Sequence, residues 1–142
     1  MRPVLELLKK RGPDTWSLKP QDTVFDALKV LADHNIGALM VLDGGQLVGV
    51  FSERDYTRKI ALAGKSSKDT QVQDIMTTKC ITVSPQVRTR DALALMSQKG
   101  IRHLPVVDGD KVLGMISIRD IMFDIIADHE MTISHLEHYI SS

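Results

Sequence analysis

One short unit is written twice in this chain at a constant spacing of 65 residues, and that duplication constrains the fold more than any other feature. Residues 16–56 align with 81–121 without a gap. The coincident residues include Pro20/Pro85, Asp26-Ala27-Leu28/Asp91-Ala92-Leu93, Ile36/Ile101, Val41/Val106, Asp43-Gly44/Asp108-Gly109, Gly49/Gly114, Ser52/Ser117 and Arg54-Asp55/Arg119-Asp120. Two copies of one supersecondary unit generally pack about a pseudo-two-fold axis. A half of about 60 residues buries too little surface to be stable alone, so the two are expected to share a core.

Within each copy the periodicity predicts the same elements. An extended segment ends at Pro20 or Pro85, and a helical stripe follows: Val24, Ala27, Leu28 and Leu31, or Ala92, Leu93 and Met96. Asn35 and Gly100 sit where the helix must stop, and both tolerate the left-handed conformation of a C-terminal cap. Apolar strands over 38–42 and 47–51, and over 104–107 and 112–116, are joined through Asp43-Gly44 and Asp108-Gly109, a dipeptide that favours tight hairpins. Because both strand pairs are apolar throughout, burial on both faces is expected. A second helix starts at Ser52 or Ser117.

The expected fold is therefore α+β, with two β-α-β-β-α repeats at 15–63 and 73–128 and a polar linker at 64–72. An N-terminal helical segment (1–14) and a helical tail (129–142) lie outside the repeats. Along the last helix Met122, Ile126, His129, Ile133, Leu136 and Ile140 recur at alternating spacings of 4 and 3. Such a seam covers either the chain's own core or a partner subunit.

Composition narrows the function. Lys+Arg and Asp+Glu are both 18, so formal net charge is zero and no basic tract suits a phosphate backbone; nucleic acid is not an expected partner. No apolar run approaches the roughly 20 residues of a membrane span, and the N-terminus lacks a secretory signal pattern. Cys80, the one cysteine, excludes an internal disulfide and fits a reducing compartment, so a cytoplasmic location is expected. Cys80 reads as a small buried hydrophobe with no base near it in sequence. His34 reads as a favourable partner for a helix C-terminus, and His129, His135 and His138 as surface or seam residues, since no further ligand completes a metal site.

The repeated string Gly-x-x-Ser-x-x-Asp, at Gly49-Ser52-Asp55 and Gly114-Ser117-Asp120, admits two readings. Ser-x-x-Asp ahead of a helix is a capping-box arrangement. Equally, a glycine allows a ligand ring close to the strand, a carboxylate accepts from both hydroxyls of a ribose, and a neighbouring arginine forks onto phosphate. No nucleophile with an acid/base partner and no phosphate-cradling Gly-x-x-x-x-Gly-Lys loop occurs, so an enzyme is not expected.

The duplicated unit, the Asp74-Ile75-Met76-Thr77 string, the strand entry from Ile101 through Arg102, His103, Leu104 and Pro105 to Val107, and the two Gly-x-x-Ser-x-x-Asp strings together resemble a tandem pair of CBS domains, a Bateman module. The resemblance covers residues 15–128. It implies a regulatory protein with two clefts between the repeats for adenosine-containing ligands: AMP, ADP, ATP, NAD or S-adenosylmethionine. It further implies riboses on Asp55 and Asp120, with Ser52 and Ser117 at ribose or phosphate. Arg102 and His103 would face phosphate, with Thr82 at an adenine pocket; Arg54, Arg58, Pro105 and Arg119 complete the expected set. Homodimers and a separate effector protein are implied as partners. The alternatives are a ligand-independent scaffold, whose strings are only caps, and an accessory subunit of an enzyme.

Where the second copy has Arg102-His103 the first has Gly37-Ala38, so the clefts differ. Arg54, Arg58 and Lys59 either compensate or form a solvated helix face. One cleft is expected to bind a phosphate-bearing ligand distinctly better, and equal affinities at both in titration calorimetry would overturn that expectation.

Overall fold

The fold is α+β, as the repeat implies. A computed structural model describes residues 2–11 and 15–141, so parts of the terminal segments, 12–14 among them, lie outside the described residues. Helix α1 spans Val4–Arg11, strand β1 Ser17–Leu18, α2 Val24–His34, β2 Ala38–Asp43, β3 Gln46–Ser52 and α3 Glu53–Tyr56. The last continues as a π-helical turn, Thr57–Ala61. After a 3₁₀ turn at Val72–Asp74 come α4 Thr89–Lys99, β4 His103–Asp108, β5 Lys111–Ser117 and the long α5 Ile118–Ser141.

The copies match in detail. Strands β2 and β3 pair antiparallel with an extra residue, Val48, between the pairs Val41/Gly49 and Leu42/Leu47; β4 and β5 do the same with Leu113 between Val106/Gly114 and Val107/Val112. In the first hairpin Gly44 and Gly45 both take positive φ, 59° and 84°, as a two-residue turn matching the strand twist requires. Asn35 (φ 51°) and Gly100 (φ 66°) cap α2 and α4 in the left-handed conformation. The entry strands differ in extent: β1 runs parallel to β2, whereas in the second copy only the bridge Val83/Val106 forms. Burial also departs from expectation, because β2 and β4 are largely buried but β3 and β5 alternate between buried and half-buried.

The two cores are closed reciprocally, which the 65-residue repeat does not reveal. Val4 and Leu7 of α1 are buried with Val83, Ala92, Met96, Leu104, Val106, Ile116 and Ile121 of the second copy. Val72 and Ile75, which precede the aligned part of the second copy (81–121), are buried with Leu18, Val24, Leu31, Leu39, Phe51 and Ile60 of the first. The hydrogen bonds correspond: Val4 N–H donates to Val87 and Leu5 N–H to Pro85, while Val72 N–H donates to Asp22 and Gln73 N–H to Pro20. Each repeat is thus completed by the segment in front of the other. Arg2 and Lys10 hold α1 in place by ion pairs of 3.2 and 3.6 Å to Asp124, a carboxylate buried on α5, and Arg2 also pairs with Asp128.

Leu7→Ala and Ile75→Ala are each expected to cost about 3 kcal/mol, the usual loss for truncating a buried aliphatic side chain. Urea unfolding followed by circular dichroism should show one cooperative transition in each variant. A separate early transition would mean that the halves do not depend on each other.

Candidate functional site

A cleft of about 430 Å³ opens between the two repeats. One wall comes from the second copy, with Arg102 and His103 at the start of β4 and Ser117, Ile118, Arg119 and Asp120 at the β5–α5 junction; the other comes from the first, with Thr15, Trp16, residues 35–38 and Glu53. Leu8 of α1 closes one side together with Leu113 and Met115. Local geometry sets this arrangement. Gly114 lets β5 pass under Leu8, whose Cδ2 is 3.1 Å from where a Cβ would stand, and Gly37 leaves room for the His103 ring, 3.4 Å from the equivalent point.

Both Ser-x-x-Asp strings are capping boxes. Ser52 N–H donates to Asp55 Oδ2 at 3.0 Å and Asp55 N–H to Ser52 Oγ at 3.2 Å. In the second copy Ser117 N–H donates to Asp120 Oδ2 at 2.8 Å and Asp120 N–H to Ser117 Oγ at 3.1 Å. The two acids then part company. Asp55 is buried, and its Oδ1 accepts from Thr77 Oγ1 at 3.2 Å and pairs with Lys59 Nζ at 3.0 Å, while Lys59 also donates to the Ile75 carbonyl. Asp120 is half-buried and lines the cleft.

Of the eleven residues singled out from sequence, Arg102, His103, Ser117, Arg119 and Asp120 share this cleft. Ser52 and Asp55 are engaged with each other at the other junction. Arg54 bridges the repeats, its Nη1 donating to the Gly100 carbonyl at 3.0 Å, and Arg58 is exposed on the π-helical turn. Pro105 is buried in β4, where its carbonyl accepts from Val83 N–H. Thr82 is exposed and outside this cleft; Thr15 and Trp16, two positions earlier than its counterpart Ser17 and adjacent to it, line the cleft instead.

Sequence reasoning missed Trp16, Glu53 and Leu8. Trp16 is the only tryptophan, and its counterpart is Ile81. His34 stacks on it, ring centroids 3.8 Å apart, a closer role for that histidine than helix capping alone. The space beside the repeated glycines is also filled by the protein itself, by Leu8 at Gly114 and by Met76 at Gly49, where a Cβ would fall 2.4 Å from the sulfur. Half-burial pushes the Cys80 thiol upward, and its Sγ lies 3.6 Å from the Thr77 carbonyl. Among the described residues no three His, Cys, Asp or Glu side chains gather as a metal site, and no helix is long and apolar enough to cross a membrane.

The CBS domain profile matches residues 6–62 and 72–127. The chain is 44% identical over 124 residues to the CBS domain-containing protein CBSX3, mitochondrial, of Arabidopsis thaliana, covering 84% of this chain but 60% of that protein's length. It is 30% identical over 105 residues to the CBS domain-containing protein YhcV of Bacillus subtilis, covering 74% of each. The solved structure of a protein with CBS domains from Burkholderia ambifaria MC40-6, 43% identical, superposes with a TM-score of 0.84 over 89% of this chain and 95% of that one. With two matched domains spanning most of its length, the chain belongs to the CBS-domain family of regulatory proteins, as a tandem pair.

Proposed function

We propose that the chain is a sensor that binds one adenosine-containing nucleotide in the cleft between its repeats and signals through a change in how those repeats meet. The observation that carries this reading is the convergence of Asp120, Ser117, Arg102, His103 and Arg119 on one cleft of about 430 Å³, within the usual size of small-molecule sites. Asp120 would accept the ribose hydroxyls, Ser117 would stand beside them, and Arg102, Arg119 and His103 would meet phosphate. Glu53 shares the cleft and repels anions, so it would direct phosphate toward the arginines. AMP, ADP, ATP, NAD and S-adenosylmethionine share the ribose and are all admitted by these groups.

Asp55 carries the opposite inference. Both its oxygens are already matched by Ser52, Thr77 and Lys59, so a ribose there would have to displace internal bonds at the full cost of unpairing buried groups. Because the cleft walls come from both repeats, a ligand favours one relative orientation over others, and that differential affinity is the signal available to a separate effector protein. This is a binding role, not a catalytic one. The single thiol suits a reducing cytoplasmic setting.

The tail of α5 supplies a second contact surface. From His129 to Ile140 its side chains are exposed, including Ile133 (55%), Leu136 (56%) and Ile140 (81%), so this stripe does not cover the chain's own core. A helical stretch of about 13 residues without tertiary packing is marginal in water. We assign a second copy of the chain to it. The seam Met122, Ile126, His129, Ile133, Leu136, Ile140 puts Glu130 and Glu137 at flanking positions, which an antiparallel pair would juxtapose and a parallel pair would set against Ile125 and Thr132.

In a thermal-unfolding panel of AMP, ADP, ATP, NAD and S-adenosylmethionine, a ligand at 100 times its Kd should stabilise by about 2.7 kcal/mol. The shift is expected in wild type and in Asp55→Ala, and should vanish in Asp120→Ala. No shift with any ligand would overturn the sensor and leave both strings as caps, each contributing about 1 kcal/mol. For the tail, sedimentation should show a dimer that Ile133→Glu/Leu136→Glu converts to a folded monomer. A wild-type monomer, or a variant that still dimerises, would refute the seam as the dimer interface.

A further inference from the structure

We infer that Trp16 is the base-stacking platform of the cleft, and that the adenine ring of a bound nucleotide is held there and not at the pseudo-equivalent position in the other half. This rests on the nucleotide reading above and adds the group that recognises the base. Three observations lead to it. Trp16 belongs to neither hydrophobic core, although it is the largest apolar side chain in the protein, and it remains 37% exposed. It lines the same cleft as Asp120, Arg102 and His103. It is braced from outside that cleft by His34, with the rings 18° from parallel at a centroid distance of 3.8 Å.

An indole left out of the core but clamped on one side has the properties of a recognition surface. Clamping by His34, at the last turn of α2 just before the left-handed cap Asn35, fixes the ring before a ligand arrives, so less conformational freedom is lost on binding. A purine offers a planar π face of matching size, and stacking on an aromatic side chain is a large, geometry-tolerant source of base affinity. The counterpart of Trp16 in the other repeat is Ile81, which offers no such face. The cleft carrying Asp120 therefore holds both a ribose acceptor and a base platform, whereas the half carrying Asp55 has an aliphatic residue at the platform position.

The sole tryptophan is also its own probe. Titration of wild type with AMP should quench or shift its emission, while ribose 5-phosphate, which lacks the base, should leave it unchanged. In calorimetry Trp16→Leu should weaken AMP about tenfold or more, the range reported for losing one base stack. Trp16→Phe should retain most of the affinity, ribose 5-phosphate should bind wild type and Trp16→Leu alike, and His34→Ala should show a smaller loss. Thermal melting verifies that each variant is folded. If Trp16→Leu binds AMP as wild type does while Asp120→Ala does not, the platform is refuted and the nucleotide cleft stands. If wild type binds no adenosine ligand, the cleft reading and the platform fall together.

Discussion

The structure depends on an exchange: each repeat's core is closed by residues that precede the other repeat. Val4 and Leu7 seal the second copy, Val72 and Ile75 the first, and the same backbone bonds to Val87 and Pro85, or to Asp22 and Pro20, dock them. A unit of about 60 residues is marginal by itself, and here neither unit contains its whole core. The consequence is mechanical as much as energetic. The relative position of the repeats is tied to the two segments that cross between them, so the ligand proposed for the cleft would act on a coupled pair.

The exchange also shapes the cleft. Leu8, on the turn of α1 next to Leu7, packs over Gly114 and forms part of the cleft wall, and the same helix is held to α5 through Arg2 and Lys10 on the buried Asp124. Removing the cations that face a buried carboxylate leaves its charge uncompensated, so these pairs help seat α1. Cleft, α1 and α5 are thereby in direct contact, and α5 continues without interruption into the exposed apolar tail. The proposed ligand position and the proposed dimer surface thus lie on one contiguous set of elements.

Much of this was legible in the chain. The gapless duplication, the Asp-Gly turns, and Asn35 and Gly100 as left-handed caps depend on residues close in sequence, and local chemistry dictates them. The exchange was not legible from the same alignment, because its segments follow a different spacing: Val4-x-x-Leu7-Leu8 matches Val72-x-x-Ile75-Met76 at 68 residues, not 65. That short pattern was visible but too brief to stand out without the docking bonds. Trp16 was passed over because its value arises from His34, eighteen positions away, and from an exclusion from both cores that only packing reveals. The glycines misled in the other direction, since the room they create is taken by Met76 and Leu8.

Asp55 and Asp120 make the most instructive pair, because sequence treats them as equals. Each closes a capping box with the serine three residues earlier, and each therefore has one oxygen committed to helix geometry. Thr77 and Lys59 converge on Asp55 from the segment ahead of the second helical stripe and from the π-helical turn, and Lys59 reaches both the acid and the Ile75 carbonyl. The counterpart of Lys59 at the second junction is Asp124, an acid turned toward Arg2 and Lys10 instead. Asp120 lines the cleft together with Arg102 and Arg119, while Asp55 is bonded to Thr77 and Lys59 within the fold. A difference of sign between the copies, Lys59 against Asp124, thus gives two otherwise matching caps different surroundings.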